Sequence, residues 1–294
     1  MKTRWVTLLM VLSTIAIVST IAIVSTTAPA SAQPVAARAF TFQRLLAVAG
    51  EPDDIAVDAQ GRLVWGNLST GSIQRFDGRS IQTVATGLSV PEGIVVLADG
   101  SLVVAEQGRD RLVRLGPGTR RSVVLRLQPV PGQEGVDGIA LDPRSRQLLV
   151  PDSPRGTLLR VGVDGRHATV LARGLGRPVG AAADAHGTIW VVDENLNAVL
   201  STAPSGAVVR RATLSVPDDV VIDRRGWLWV TTLGDGGLWV IKPGQAAQRV
   251  LSNLSNPQGL ALDRCDNPIV VQSARGVIDR LVTAPAGRHC LAGS

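Results

Sequence analysis

Pro217-Asp218-Asp219-Val220-Val221-Ile222-Asp223-Arg224-Arg225-Gly226-Trp227-Leu228-Trp229-Val230 holds a whole structural unit in small. A proline and two acids lead into a short apolar run, an Asp-x-x-Gly turn reverses the chain, and a second apolar run follows. Glycine takes the positive φ that such a turn needs, and the aspartate can bond its own backbone. The same order recurs along the chain. The six units open at Pro52-Asp53-Asp54-Ile55, Pro91-Glu92-Gly93-Ile94, Val136-Asp137-Gly138-Ile139, Pro178-Val179-Gly180-Ala181, Pro217-Asp218-Asp219-Val220 and Pro257-Gln258-Gly259-Leu260. Their second runs end at Asn67, Glu106, Asp152, Asp193, Thr232 and Ser273.

Equivalent third positions fall at 54, 93, 138, 180, 219 and 259. A period of about forty residues suits four short strands, one blade of a β-propeller. The expected fold is therefore all-β: a six-bladed β-propeller of four-stranded antiparallel blades starting near residues 52, 91, 136, 178, 217 and 257, within one domain over 33–294. The first two strands of each unit are apolar, as strands covered on both faces should be. The third and fourth alternate, as in Ile73-Gln74-Arg75-Phe76, and should lie nearer solvent. The sixth unit runs short before the chain ends. Residues 40–48 read as an outer strand that completes it and closes the ring, which removes exposed sheet edges. The 31 Gly and 17 Pro, without a G-X-Y period, suit many tight turns, and a 45% hydrophobic, 18% charged chain is not a disordered one.

Residues 1–32 read as a secretory signal: Lys2 and Arg4 precede a mostly apolar stretch from Val6 to Val24, Pro29 breaks the helix, and Ala30-Ser31-Ala32 offers small residues for cleavage. The expectation is a secreted, extracytoplasmic protein; the length of the apolar stretch leaves an uncleaved membrane anchor as the alternative. In an oxidising compartment Cys265 and Cys290 are expected to pair and tie the tail to the last repeat. The formal charge is +6, and Lys2 and Lys242 are the only lysines among 30 basic residues. An arginine-rich surface allows an anionic envelope polymer as partner. Without a basic block interleaved with aromatics, nucleic acid is not expected.

The position after each opening residue should face the channel mouth. It reads Asp53, Glu92, Asp137, Val179, Asp218 and Gln258: four carboxylates in a chain with 24 acids among 294 residues. Crowded carboxylates must take up protons or a cation. Oxygen donors without His or Cys favour Ca2+ or Mg2+. Asp53, Asp218, Glu92 and Asp137 are the candidate metal ligands, and no organic cofactor is expected. Asp219, with Asn67, Glu106 and Asp152 at the second-strand ends, are candidate ligand-binding residues. Capping of backbone amides of neighbouring blades by acids at strand starts is the structural alternative. Asp58, Asp142, Asp184, Asp223 and Asp263 belong to turns on the far face and read as structural. His167 should lie on an outer strand, His186 in a far-face turn and His289 in the tail, so proton transfer would fall to a carboxylate. Asn67-Leu68-Ser69 and Asn253-Leu254-Ser255 fit the glycosylation pattern.

Pro-x-Gly-Ile-Ala-x-Asp followed by Gly-x-Leu-x-Val resembles the NHL repeat and the SMP-30/gluconolactonase superfamily of six-bladed propellers, over about residues 41–285. The resemblance implies a metal-ligating Asp at Asp218 and a first-blade acidic ligand at Asp53. The family's later Asn ligand aligns with Val179, which cannot ligate. Streptogramin lyases share the architecture but use catalytic histidine, which the histidine placement here does not offer. The expected function is metal-aided hydrolysis of a small lactone or ester, with Asp218, Glu92, Asp137 and Asp193 as catalytic candidates, in a monomer acting on a small-molecule substrate. The alternatives are a non-catalytic propeller of the cell envelope that takes a cationic ligand or a protein, and a lyase or cyclase of a secondary metabolite.

Overall fold

The computed structural model describes residues 40–116, 120–202, 206–282 and 290–292; the signal segment and His289 lie outside them. Twenty-four strands form six four-stranded antiparallel sheets. Blade one is β2 (Pro52–Val57), β3 (Leu63–Asn67), β4 (Ser72–Phe76) and β5 (Ile81–Ala85). Blade two is β6 (Pro91–Val96), β7 (Leu102–Glu106), β8 (Arg111–Leu115) and β9 (Arg121–Arg126). Blade three is β10 (Ala140–Leu141), β11 (Leu148–Asp152), β12 (Thr157–Val161) and β13 (Thr169–Ala172). Blade four is β14 (Pro178–Ala183), β15 (Ile189–Asp193), β16 (Ala198–Thr202) and β17 (Val208–Thr213). Blade five is β18 (Pro217–Ile222), β19 (Leu228–Thr232), β20 (Gly237–Ile241) and β21 (Gln248–Leu251). Blade six is β22 (Pro257–Leu262), β23 (Pro268–Gln272) and β24 (Val277–Val282), completed by β1 (Thr41–Ala47), which pairs antiparallel with β24. Among the described residues there is no α-helix, only three-residue 3-10 turns.

The core is divided between neighbours rather than gathered in one place. Alternate residues of a strand face opposite sides. Leu102 and Val104 pack with blade one, while Val103 and Ala105 pack with blade three. Each of the six clusters spans two adjacent blades, and the last joins blade six to Ile55, Leu63 and Trp65 of blade one. Both faces of every second strand are buried, which is why these runs are continuously apolar. The third strands are more buried than their alternation suggests, β16 and β24 almost wholly, because blade-on-blade packing reaches them. Among the strands, exposed residues are confined to the outermost ones, such as β17 and β5.

Five far-face turns are held as expected. Asp58, Asp142, Asp184, Asp223 and Asp263 each accept backbone N–H groups two to four residues ahead, at 2.8 to 3.3 Å. The second blade has Leu97 there, and Asp99 accepts from Ser101 instead. Two placements differ from the repeat pattern. The inner strand of blade three is two residues long, and Val136–Ile139 runs irregularly because Asp110 and Val179 take its amides in place of a sheet partner. The second-strand end of blade six is Gln272, paired with Pro257 as Asn67 is with Pro52, and Ser273 starts the following turn.

Cys265 and Cys290 are bonded. The bridge brings Leu291 into the cluster between blades six and one, and Ala292 donates to the Gly61 carbonyl of blade one.

Candidate functional site

An interrupted register aims the acidic ring. In five inner strands the pairing slips directly after the opening proline, for instance between Pro52 and Ile55 and between Pro217 and Val220. Bulges re-aim side chains, and here they turn the second residue to the axis. Where the third residue is glycine the blades nearly touch: a Cβ on Gly138 would lie 2.6 Å from the Val179 carbonyl oxygen, and one on Gly259 2.6 Å from that of Asp53. Where it is aspartate, the side chain clips two blades together. Asp54 accepts from Ile55 at 2.8 Å and from Ile94 of blade two at 2.9 Å; Asp219 accepts from Val220 at 2.7 Å and from Leu260 of blade six at 2.8 Å.

Asp53, Asp54, Asp137, Asp218, Asp219 and Gln258, with Gly138, Val179 and Gly259, line a neck of about 10 Å³ on the axis, room for one water molecule or small ion. Asp53 is 5% exposed and its Oδ2 has no hydrogen-bond partner. Glu92 is buried beside this group, close enough to Asp137 and Asp53 for their charges to act on it. Burial above all, then the neighbouring carboxylates, pushes Asp53 up to about 8 and lifts Asp54, Glu92 and Asp218 well above the usual range. Burial also raises Asp219, to about 6, against the pull of the Leu260 and Val220 amides.

Among the described residues, one cation of the chain itself reaches the ring. Arg177 donates to Asp137 at 3.0 Å and to Glu134 at 2.7 Å, and pairs closely with Glu194. Gln107 donates to the same Asp137 oxygen at 3.4 Å. Neither Arg177 nor Glu194 is among the sequence candidates. The signal for Arg177 is its place directly before the repeat opening, where the other units carry Glu51, Val90, Gly135, Val216 and Asn256.

The second-strand ends do not line the neck; Asn67, Glu106, Asp193 and Gln272 tie the loops that lead into the inner strands. Glu106 accepts from Ser89 N and pairs with Arg109 and Arg111. Asp193 accepts from the amides of Gly176, Arg177 and Leu196. Asp152 pairs with Arg155, and the equivalent Gln272 accepts from Ser255 N. Asn67 is buried and donates to the Ala49 carbonyl, which leaves no exposed amide for a glycan. The capping alternative describes Asp54 and Asp219, strand-start acids that hold the Ile94 and Leu260 amides of neighbouring blades, and of the ligand-binding candidates Asp219 alone lines the neck. His186 sits in its far-face turn; His167 lies in the loop before β13 rather than on it, at φ +57°.

An oxygen-only lining and the orphaned Asp53 oxygen would suit a hard cation in a neck of this volume, but the ring does not present a closed ligand set. The fit differs from the family pattern at Val179. Among the described residues no three ring carboxylates bring oxygens within 4.8 Å of one another. The group that does, Asp263 with Cys265 and Cys290, has its sulfurs joined to each other and offers no thiolate.

No protein-family model matches the sequence, and no curated protein is significantly similar to it. Solved structures share its fold. A streptogramin B lyase has a TM-score of 0.65 at 14% identity, over 83% of this chain and 97% of its own. A gluconolactonase from Xanthomonas campestris has a TM-score of 0.67 at 20% identity, over 82% and 89%. A putative oxidoreductase (glucose dehydrogenase) from Thermus thermophilus has 0.68 at 18%, over 83% and 100%. At these identities the likeness is one of fold. The resemblance to streptogramin-lyase and gluconolactonase-like propellers holds at that level, on a scaffold that carries enzymes.

Proposed function

We propose that this propeller is an exported, monomeric enzyme that hydrolyses a small lactone or ester on its acidic face, aided by Ca2+ or Mg2+ in the neck. The carrying observation is Asp53 Oδ2, a buried carboxylate oxygen without a donor in a one-ion cavity. Asp53 and Asp218 would hold the ion, with Asp137 beside them. A divalent cation held there would polarise a carbonyl and make water more acidic. Glu92, whose burial favours its protonated form, can give a proton to the leaving alkoxide, while Asp137, held by Arg177, is placed to take one from the attacking water. The neck is too small for an organic molecule, so the substrate rests on it from outside, against Arg177. Asp193 has a positioning part, fixing the Arg177 backbone at 3.0 Å.

Metal analysis and calorimetric titration of the mature protein with Ca2+ and Mg2+, followed by a panel of lactones and esters, test this. The expected result is one ion per chain and turnover of at least one panel member, both lost in Asp53→Asn and Asp218→Asn. A metal-loaded protein that leaves the whole panel intact overturns it.

The small neck also favours a second reading, a non-catalytic propeller that binds on its open face. Arg109, Arg155 and Arg275 end the 3-10 turns that follow the second strands and join Arg177 on that side. They suit an anionic envelope polymer. Polymer binding that survives both aspartate substitutions supports this reading over catalysis.

A further inference from the structure

Beyond the neck the axis widens into a channel of about 360 Å³ that opens on the Asp-x-x-Gly turn face. That is the size of an ordinary small-molecule pocket. Its walls are aliphatic, with Ile55, Ile94, Ile139, Ala182, Val220 and Leu260 drawn from all six blades, and no basic or aromatic side chain lines it. The only polar side chains lining it are Asp54 and Asp219, which also line the neck. Among the described residues neither forms an ion pair with an Arg or Lys. Past them Asp53 Oδ2 remains buried and without a donor.

An apolar body gains by leaving water for such walls. The head that meets the floor faces carboxyl groups and an orphaned acceptor, which calls for positive charge and N–H donors. A primary ammonium supplies both, with three donors. A quaternary ammonium has none, and an aromatic cage to hold it is missing. We propose that the channel is a binding site, entered from the turn face, for a small aliphatic primary amine in its ammonium form, its head between Asp54 and Asp219 and one N–H directed to Asp53 Oδ2. This rests on the channel and not on the metal reading, because the ligand enters from the other face and needs no divalent ion.

Calorimetric titration of the chelator-treated protein with n-octylammonium, n-octanol, n-octanoate and octyltrimethylammonium tests it. Octylammonium should bind once per chain, about tenfold or more tighter than each of the others, the scale of a charged hydrogen bond. Ala183→Trp at the half-buried opening and Asp219→Asn at the floor should each weaken it about tenfold or more. No octylammonium binding, or equal binding of octanol, overturns the proposal on the unaltered protein, so it does not depend on either variant folding. Octylammonium binding that Ala183→Trp leaves intact in a folded protein places the site elsewhere and overturns it as well.

Discussion

Arg177 donates to Asp137 across 3.0 Å, from the residue before blade four to the acidic position of blade three, and is the one basic side chain among the described residues that ion-pairs with a ring carboxylate. It also carries Glu134 and Glu194. Three acids thus depend on one guanidinium that is 18% exposed. Removing a partner from a largely buried ion group leaves the remaining charges without compensation. Arg177→Leu should cost about 2–3 kcal/mol in urea unfolding. Arg177→Lys keeps the charge but loses the fork of donors that serves several acids at once, and should recover less than half of the loss.

Most of the ring was legible in the sequence, because the repeat brings one column of residues to one axis. Asp53, Asp137 and Asp218 share the neck, with Glu92 buried against Asp137. The second-strand column was legible as polar but not as structural. Asp193 and Glu106 look like site residues until the loop amides they hold are seen, and those amides lie 16 or 17 positions away in the chain. Arg177 was hidden for a related reason. Its three partners come from two stretches of chain, 134–137 and 194, and repeat periodicity carries no information about a residue that occurs once. The lower channel follows from the apolar inner strands, yet its having two carboxyls as its only polar lining depends on where the bulges turn Asp54 and Asp219.

The bridge between Cys265 and Cys290 closes a loop of 25 residues. In the chain-entropy account such a loop contributes about 3 kcal/mol. Its loss also frees Leu291 from the core between blades six and one. Cys265→Ser with Cys290→Ser, or reduction, should lower guanidinium stability by about 3 kcal/mol. In hydrogen exchange the loss of protection should be greatest in Arg264 N and Gly61–Leu63, next to the tail.

Ring closure depends on β1, whose Arg44 pairs with the buried Asp279 at 2.6 Å and whose Gln43 accepts from Arg280 at 2.7 Å. Deleting residues 1–47 leaves β24 as a bare edge and Asp279 short of a partner. Exposed edges pair with other chains. The truncated protein should show concentration-dependent association in light scattering, where the chain with residues 33–47 retained stays at a single mass. Arg44→Ala alone should cost about 1–2 kcal/mol without association.

The metal-free protein should lose stability as the pH rises from 5 to 8.5. Asp53 titrates near 8 and Asp219 near 6 in the folded chain, against an ordinary 3.8, and Asp54, Glu92 and Asp218 are raised in the same direction by burial and by one another. Each keeps its proton longer folded than unfolded. Their contribution is therefore whole below pH about 4, where both states are protonated, and is lost as the pH climbs through about 6 and then about 8. Carboxylates of the opposite kind do not mask this. Burial works against Glu106 and Asp142, but Arg111 and Ser145 hold them below the usual range, so their contribution is complete above pH about 5 and is lost only on acidification. The melting temperature in chelator should fall across the window, Asp53→Asn should shrink the fall, and saturating Ca2+ should reverse it by replacing protons with an ion. Calorimetric scans at half-unit pH steps with and without Ca2+ measure all three. A chelated protein whose melting temperature holds level or climbs over that range has its ring carboxyls ionised in the folded state, and the acidic neck would then need another source of positive charge.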